Sequence, residues 1–164
     1  MVVSIHQPQY LPWLPYFQKV ERSQVFILLD SVDFQKNGLQ NRNQIKTAQG
    51  AQWLTVPVLQ NLGQKICEVQ INKKVGWGKK HWLTIQQNYR KAGAFKFYAE
   101  DIENIYSQNW SSLNELNIHL FLLMMGWLGI ERQVKRSSEM KSEGKGSELA
   151  LNLCLEVGAK QYLS

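Results

Sequence analysis

The sequence predicts an α/β fold: a single Rossmann-like domain with a mainly parallel sheet, helices on both faces and a hairpin insertion around residues 31–71. Three observations carry this expectation. Two short apolar runs, Val2–Ile5 and Val25–Leu29, flank a segment of helical spacing, which is the βαβ pattern. From residue 77 onward, periodic apolar residues make the chain mostly helical. No internal repeat, heptad series or dividing linker interrupts the 164 residues, a length ordinary for one domain.

Val2–Ile5 reads as a buried strand that stops before Pro8. Trp13–Arg22 places apolar side chains at 13, 14, 16, 17 and 20, a helical stripe, with Pro12 and Pro15 at the start where a missing N–H matters least. Val25–Leu29 is a second strand, closed by Asp30, and parallel pairing of the two requires a right-handed crossover. Residues 31–52 are polar and without period, so turns and a hairpin arm are expected. Trp53–Val58 and Ile66–Ile71 read as strands, the second because Cys67, Val69 and Ile71 alternate with polar neighbours, and Asn61-Leu62-Gly63 turns the chain between them.

Trp82, Ile85, Tyr89 and Ala92 follow helical spacing with Gly93 as a cap, and Tyr98–Tyr106 is a further, shorter helix. Ser112 and Glu115 form a capping box that opens an apolar helix to Leu128, stopped by Gly129. Arg132–Lys135 reads as a brief strand and Ser137–Gly146 as a mobile loop. Ser147–Val157 is a helix ended by Gly158, and Gln161–Leu163 begins a last strand.

At 44% hydrophobic and 11% aromatic residues the chain has material for a packed core, which excludes intrinsic disorder. Cys67 and Cys154 are too few for a disulfide framework or a cysteine-rich zinc site, and read as buried thiols in a reducing compartment. The longest apolar run, Leu120–Met125, is far short of a membrane span. The N-terminus has no basic n-region, so no signal peptide is expected and the cytoplasm is the default location. The net charge of +6 is local: residues 73–96 hold seven of the nineteen Lys and Arg residues and no acid, leaving the remainder at −1. Such a patch either attracts phosphate, on nucleic acid, a nucleotide-sugar or a lipid head group, or is a solvated helix face.

The densest polar signal is His6-Gln7-Pro8-Gln9-Tyr10, where the first strand hands over to its helix. Ligands of open parallel sheets bind at strand carboxyl ends, and the following helix offers free N–H groups to an anion. His6 is the acid–base candidate and Gln7 and Tyr10 position substrate, against the alternative of a rigid, aromatic-rich turn. Asp30, at the end of the second strand, is either a partner for His6 or a substrate amine, or a turn-forming residue. Gln40-Asn41-Arg42-Asn43 sets amides around one guanidinium, so Asn41 and Arg42 are a candidate anion clamp or an ordinary polar turn.

Lys79 and Lys80, with Arg90 and Lys91, are the candidate nucleic-acid or phosphate patch; Trp82 and Tyr89 between them fall on the apolar stripe and read as core. His81 is equally a structural or a catalytic histidine, and His119, in an apolar helix, reads as core. Lys145 and Ser147 open the last helix, where they can meet an anion, although the stretch lacks a P-loop. The histidines have no metal-ligand spacing, so no metal and no cofactor are expected.

The string from Ile5 through His6-Gln-Pro-Gln-Tyr-Leu-Pro-Trp-Leu-Pro-Tyr to Phe17 resembles the opening of the WbqC-like protein family. The resemblance continues in Val25–Asp30, Gln40–Asn43, Trp53–Pro57, Lys80–Trp82, Gln87–Lys91, Leu116–Ile118, Trp127–Ile130, Gly158-Ala159 and Tyr162–Ser164. It implies a bacterial protein of surface-polysaccharide (O-antigen) biosynthesis that transfers an acyl or aminoacyl group, such as glycine, to an amino sugar. It also implies that Pro15 replaces a usual Gly, and that members continue beyond Leu163-Ser164, so a C-terminally truncated member is expected here. The substrate would be a small molecule carrying sugar or phosphate. The alternatives are a non-catalytic RNA-, tRNA- or nucleotide-binding module, or an inactive truncated member.

Overall fold

The computed structural model describes residues Met1–Ser164. In chain order the elements are β1 (Val2–His6), α1 (Leu14–Arg22), β2 (Val25–Leu28), β3 (Arg42–Thr47), β4 (Gly50–Thr55), β5 (Val58–Leu59) and β6 (Gln70–Ile71). There follow α2 (Trp77–Tyr89), α3 (Phe95–Ser107), α4 (Leu113–Trp127), β7 (Gln133–Arg136), α5 (Gly146–Glu156) and β8 (Gln161–Leu163).

Four strands form one sheet in the order β7-β2-β1-β8, and every pairing in it is parallel. Strand side chains alternate between faces, and here both faces are apolar. Val3, Ile5, Val25 and Ile27 pack against Leu149, Leu153 and Cys154 of α5. On the other face Phe26 and Leu28 meet Tyr16, Phe17 and Val20 of α1 and Phe121 and Met125 of α4. Phe121 stacks 5.8 Å from Phe17 and 5.6 Å from Phe26, and burial of such a ring is worth roughly 1.5–3 kcal/mol.

The chain steps from β1 to β2 to β7 over α1 and α4, then crosses back to β8 over α5 on the opposite face. Reversing both direction and face preserves the hand of the crossover, as right-twisted strands require. The fold is therefore α/β and Rossmann-like, with helices on both faces.

Between β2 and β7 lies the long insertion. Its hairpin β3–β4, the ribbon β5–β6, α2 and α3 build a second core around Tyr10, Leu54, Val56, Ile85 and Tyr106. Helix α4 belongs to both cores: Leu113, Leu116 and Leu120 face the insertion while Phe121 and Met125 face the sheet. Burial on two sides explains why this helix is apolar nearly all round. No helix is long and apolar enough to cross a membrane.

Several expectations need correction. Residues 42–47 form the arm of the hairpin expected in this polar stretch, but its partner β4 starts at Gly50 rather than Trp53. The run Trp53–Val58 is not one strand: β4 stops at Thr55, and Pro57, which has no N–H to donate, separates it from β5. Ile66–Glu68 is a 3-10 turn, with only Gln70–Ile71 extended. Helix α2 ends at Tyr89, before Gly93. Ser137–Glu139 is an ordered 3-10 turn with Ser137 buried, and Cys67 is half-buried rather than buried.

Candidate functional site

In a parallel sheet of this order the strand sequence reverses between β1 and β8, and the crevice outside the carboxyl ends at that reversal is where such folds bind ligands. His6 is the last residue of β1. Its ring packs edge-on against Tyr16, with centroids 4.8 Å apart, and Nδ1 lies 3.2 Å from the Gln7 carbonyl. With Nδ1 donating to that carbonyl, Nε2 keeps its lone pair. Burial lowers the imidazole pKa and outweighs the Gln7 carbonyl, and the Lys19 charge lowers it further. His6 is thus a neutral, half-buried base near neutral pH. Lys19 Nζ donates to the Ile5 carbonyl at 3.2 Å, and burial lowers its pKa too.

Next to His6, Gln7 Oε1 accepts from Gln40 Nε2 at 2.8 Å, and Gln40 Oε1 accepts from the Gln35 N–H at 2.8 Å. Asn117 of α4 donates to the Gln40 carbonyl at 2.7 Å. These amides form one side of a cleft of about 200 Å³ lined by Gln7, Gln9, Gln35, Gly38, Leu39 and Gln40. Gln9 Oε1 accepts no hydrogen bond, so acceptor capacity remains in this wall. Side-chain amides offer donors and acceptors without charge, which suits hydroxyl-rich or amide-bearing ligands.

Asp30 follows β2 and is fully buried. Asn114 Nδ2, the Ser138 N–H and Ser138 Oγ each donate to it at 2.8 Å, and Ser137 Oγ and Arg136 Nε at 3.2 Å. Burial raises its pKa, but these hydrogen bonds, from Ser138, Asn114 and Arg136, prevail and hold it below the ordinary value. Five donors fill the roughly four lone-pair sites of a carboxylate. Asp30 thereby ties β2, β7 and the start of α4 together, and Arg136 extends the knot to Glu115 at 3.0 Å and Glu139 at 3.4 Å.

The WbqC-like protein family matches residues 7–164. The chain belongs to this family. It is 36% identical over 166 residues to the uncharacterised protein Rv1507c of Mycobacterium tuberculosis, covering 99% of this chain and 71% of that protein. No solved structure matches the chain.

The residues expected to form the site of this WbqC-like chain lie in separate networks. Gln7 lines the glutamine cleft and His6 precedes it in the chain, but no hydrogen bond joins His6 to Asp30, whose oxygens are taken by other donors. Arg42 donates through Nη2 to the Asn37 carbonyl and lies 4.5 Å over the Trp53 ring, so its guanidinium braces the hairpin. Asn41 is buried and donates to the Val56 carbonyl at 3.0 Å. Tyr10 is wholly buried, sharing hydrogen bonds with Tyr106 Oη at 2.6 Å and His81 Nδ1 at 2.8 Å. Lys145 and Ser147 are exposed where α5 begins. Lys79 and Lys80 lie in the first turn of α2, with Arg90 and Lys91 just past its end, roughly 16 Å along the axis. All four are exposed, and none joins an ion pair: the three ion pairs in the structure all belong to Arg136.

Sequence reasoning missed Asn114, Arg136, Ser137 and Ser138. One signal pointed to the last two. Two hydroxyl residues directly follow β7, a strand whose carboxyl end lies beside that of β2 and Asp30.

Proposed function

We propose that this WbqC-like protein transfers an acyl or aminoacyl group, such as glycine, to the amine of a phosphorylated or nucleotide-linked amino sugar, in the cytoplasmic assembly of bacterial surface polysaccharide. The observation that carries the reading is His6: a neutral imidazole with a free Nε2, at the strand end where the sheet order reverses, one residue before Gln7 of an amide-lined cleft. The glutamines hydrogen-bond the sugar hydroxyls, and Lys145 and Ser147 at the start of α5 take the phosphate. The sugar amine attacks the acyl carbon, its N–H proton passes to His6 Nε2, and the leaving group departs with the acyl bond's electron pair and recovers that proton. Asp30, saturated by its donors, acts as a positioning residue for the sheet edge.

The test is a mass-shift assay of purified protein with nucleotide-linked amino sugars and activated acyl or aminoacyl donors. His6→Ala should abolish N-acylation while circular dichroism and melting stay those of the parent. Undiminished turnover in that variant removes His6 from the chemistry.

A second reading has its own observation. All seven cations between Lys73 and Lys96 are exposed and unpaired, which suits RNA, including a charged tRNA that would serve as aminoacyl donor. Filter binding to tRNA should then weaken steeply with salt and lose slope in Lys79→Gln/Lys80→Gln. A salt-independent signal, or none at low salt, rejects this reading.

A further inference from the structure

A hollow of about 390 Å³ opens between β3, α2, α3 and α4, away from the glutamine cleft. Thirteen of its fourteen lining residues are hydrophobic, among them Ile45, Ile85, Phe95, Ile102, Met124 and Trp127, and the exception is Gln44. Two of its tyrosines have engaged hydroxyls. Tyr89 Oη accepts from the Lys46 N–H at 3.0 Å, and Tyr106 Oη is bonded to Tyr10. The hollow would hold roughly a dozen waters, yet offers them few partners. Protein interiors rarely leave voids this large, and its size falls within the range of ligand pockets.

The mouth is marked by the lining residues that are exposed: Gln44, Ala92 and Ala94. Cations stand beside it in the chain. Lys46 neighbours Ile45, and Arg90, Lys91 and Lys96 bracket the turn from Tyr89 to Phe95. All four are exposed and none joins an ion pair. Asp101 is at the Trp127 end, where it accepts from the indole N–H at 3.1 Å. The hollow is therefore apolar within and positively flanked at its opening.

We propose that this chamber binds a single-chain anionic amphiphile, its aliphatic tail inside and its carboxylate or phosphate among Lys46, Arg90, Lys91 and Lys96. The apolar lining excludes sugars and nucleotides, which would leave polar groups unpaired. The cationic mouth favours a charged head over an alcohol. This site is separate from the His6 cleft and does not depend on acyl transfer there.

Titration calorimetry with dodecanoate, dodecyl phosphate and dodecanol, each below its micelle concentration, tests it. Saturable one-to-one binding of the anions is expected, with dodecanol weaker by about tenfold or more. The stronger of the two anions identifies the head group. Ala92→Trp, at an exposed position, should weaken binding about tenfold without lowering the melting temperature, and Met124→Trp repeats the test from the opposite wall. Arg90→Glu/Lys91→Glu should weaken the anions and leave dodecanol unchanged. No saturable binding, equal affinity for dodecanol, or binding indifferent to both tryptophan variants overturns the proposal. So does a dimer by light scattering that dodecanoate neither enters nor dissociates.

Discussion

His81 is nearly out of contact with water, at 4% exposure, and shares its Nδ1 hydrogen bond with Tyr10, which is bonded in turn to Tyr106. Trp77 packs edge-on against it, with centroids 5.3 Å apart. Burial lowers its pKa from 6.5 to about 4, against the pull of the Thr55 carbonyl and with a small push from Lys80. A base whose pKa is depressed by folding stays neutral in the native state while the unfolded chain takes up a proton. Stability is then full above pH 6.5 and falls as pH drops towards about 4. The whole window is worth roughly 3 kcal/mol, of which about 2 kcal/mol is lost between about pH 7 and about pH 5. Against a net stability of roughly 5–15 kcal/mol, that is a readily measured share. Urea unfolding followed by tryptophan fluorescence at those two pH values, for the parent and for His81→Gln, isolates it. The parent should lose about 2 kcal/mol more than the variant, because the variant cannot take up this proton. Equal losses would show that His81 is solvated or already protonated, and the account of the buried network would be wrong.

The Asp30 knot and one helix contact give further expectations. Asp30→Ala leaves Asn114 and Arg136 without their carboxylate and should lower the urea midpoint by an amount equivalent to about 3 kcal/mol, with unchanged m; a loss under about 1 kcal/mol would mean the knot is slack. Since its carboxyl pKa is depressed, the stability Asp30 provides is present above the ordinary carboxylate range and disappears in acid, a dependence that Asp30→Ala should lack. Gly78→Ala would set a Cβ 2.5 Å from the Tyr106 carbonyl oxygen, prising α2 from α3 at about 1–3 kcal/mol by thermal melting. Gly76→Ala meets nothing within 4 Å and is its control; equal effects of the two would refute the close approach.

The parts of the fold that local chemistry decides could be read directly from the residues. Val25–Leu28 is apolar on both faces because its strand is covered on both faces, by α5 on one side and by α1 and α4 on the other. Ser112 caps α4 by accepting from the Glu115 N–H at 3.3 Å, and Gly129 and Gly158 adopt φ of 64° and 70° to end α4 and α5. The bounds of strand β3, within the stretch where a hairpin arm was expected, escaped such reading because an exposed two-stranded ribbon needs no apolar face: Ile45 is its only aliphatic residue. Ile66–Glu68 misled in the opposite sense, since its alternation arises from a 3-10 turn packing one side chain inward.

His6 and Gln7 were recognisable as polar residues at the carboxyl end of β1 because a strand end and its following turn are neighbours in sequence. Which partners hold Asp30 was settled only by folding. Its donors come from 84 to 108 residues away, on a helix and a strand end that meet it only when α4 lies across the sheet and β7 pairs with β2. The apolar chamber has the same origin. Each of its walls looks like ordinary core in one dimension, and only the spacing of four elements in three dimensions leaves the space between them unfilled. Periodicity tells which side of an element avoids water; it carries no term for the distance to whatever it faces.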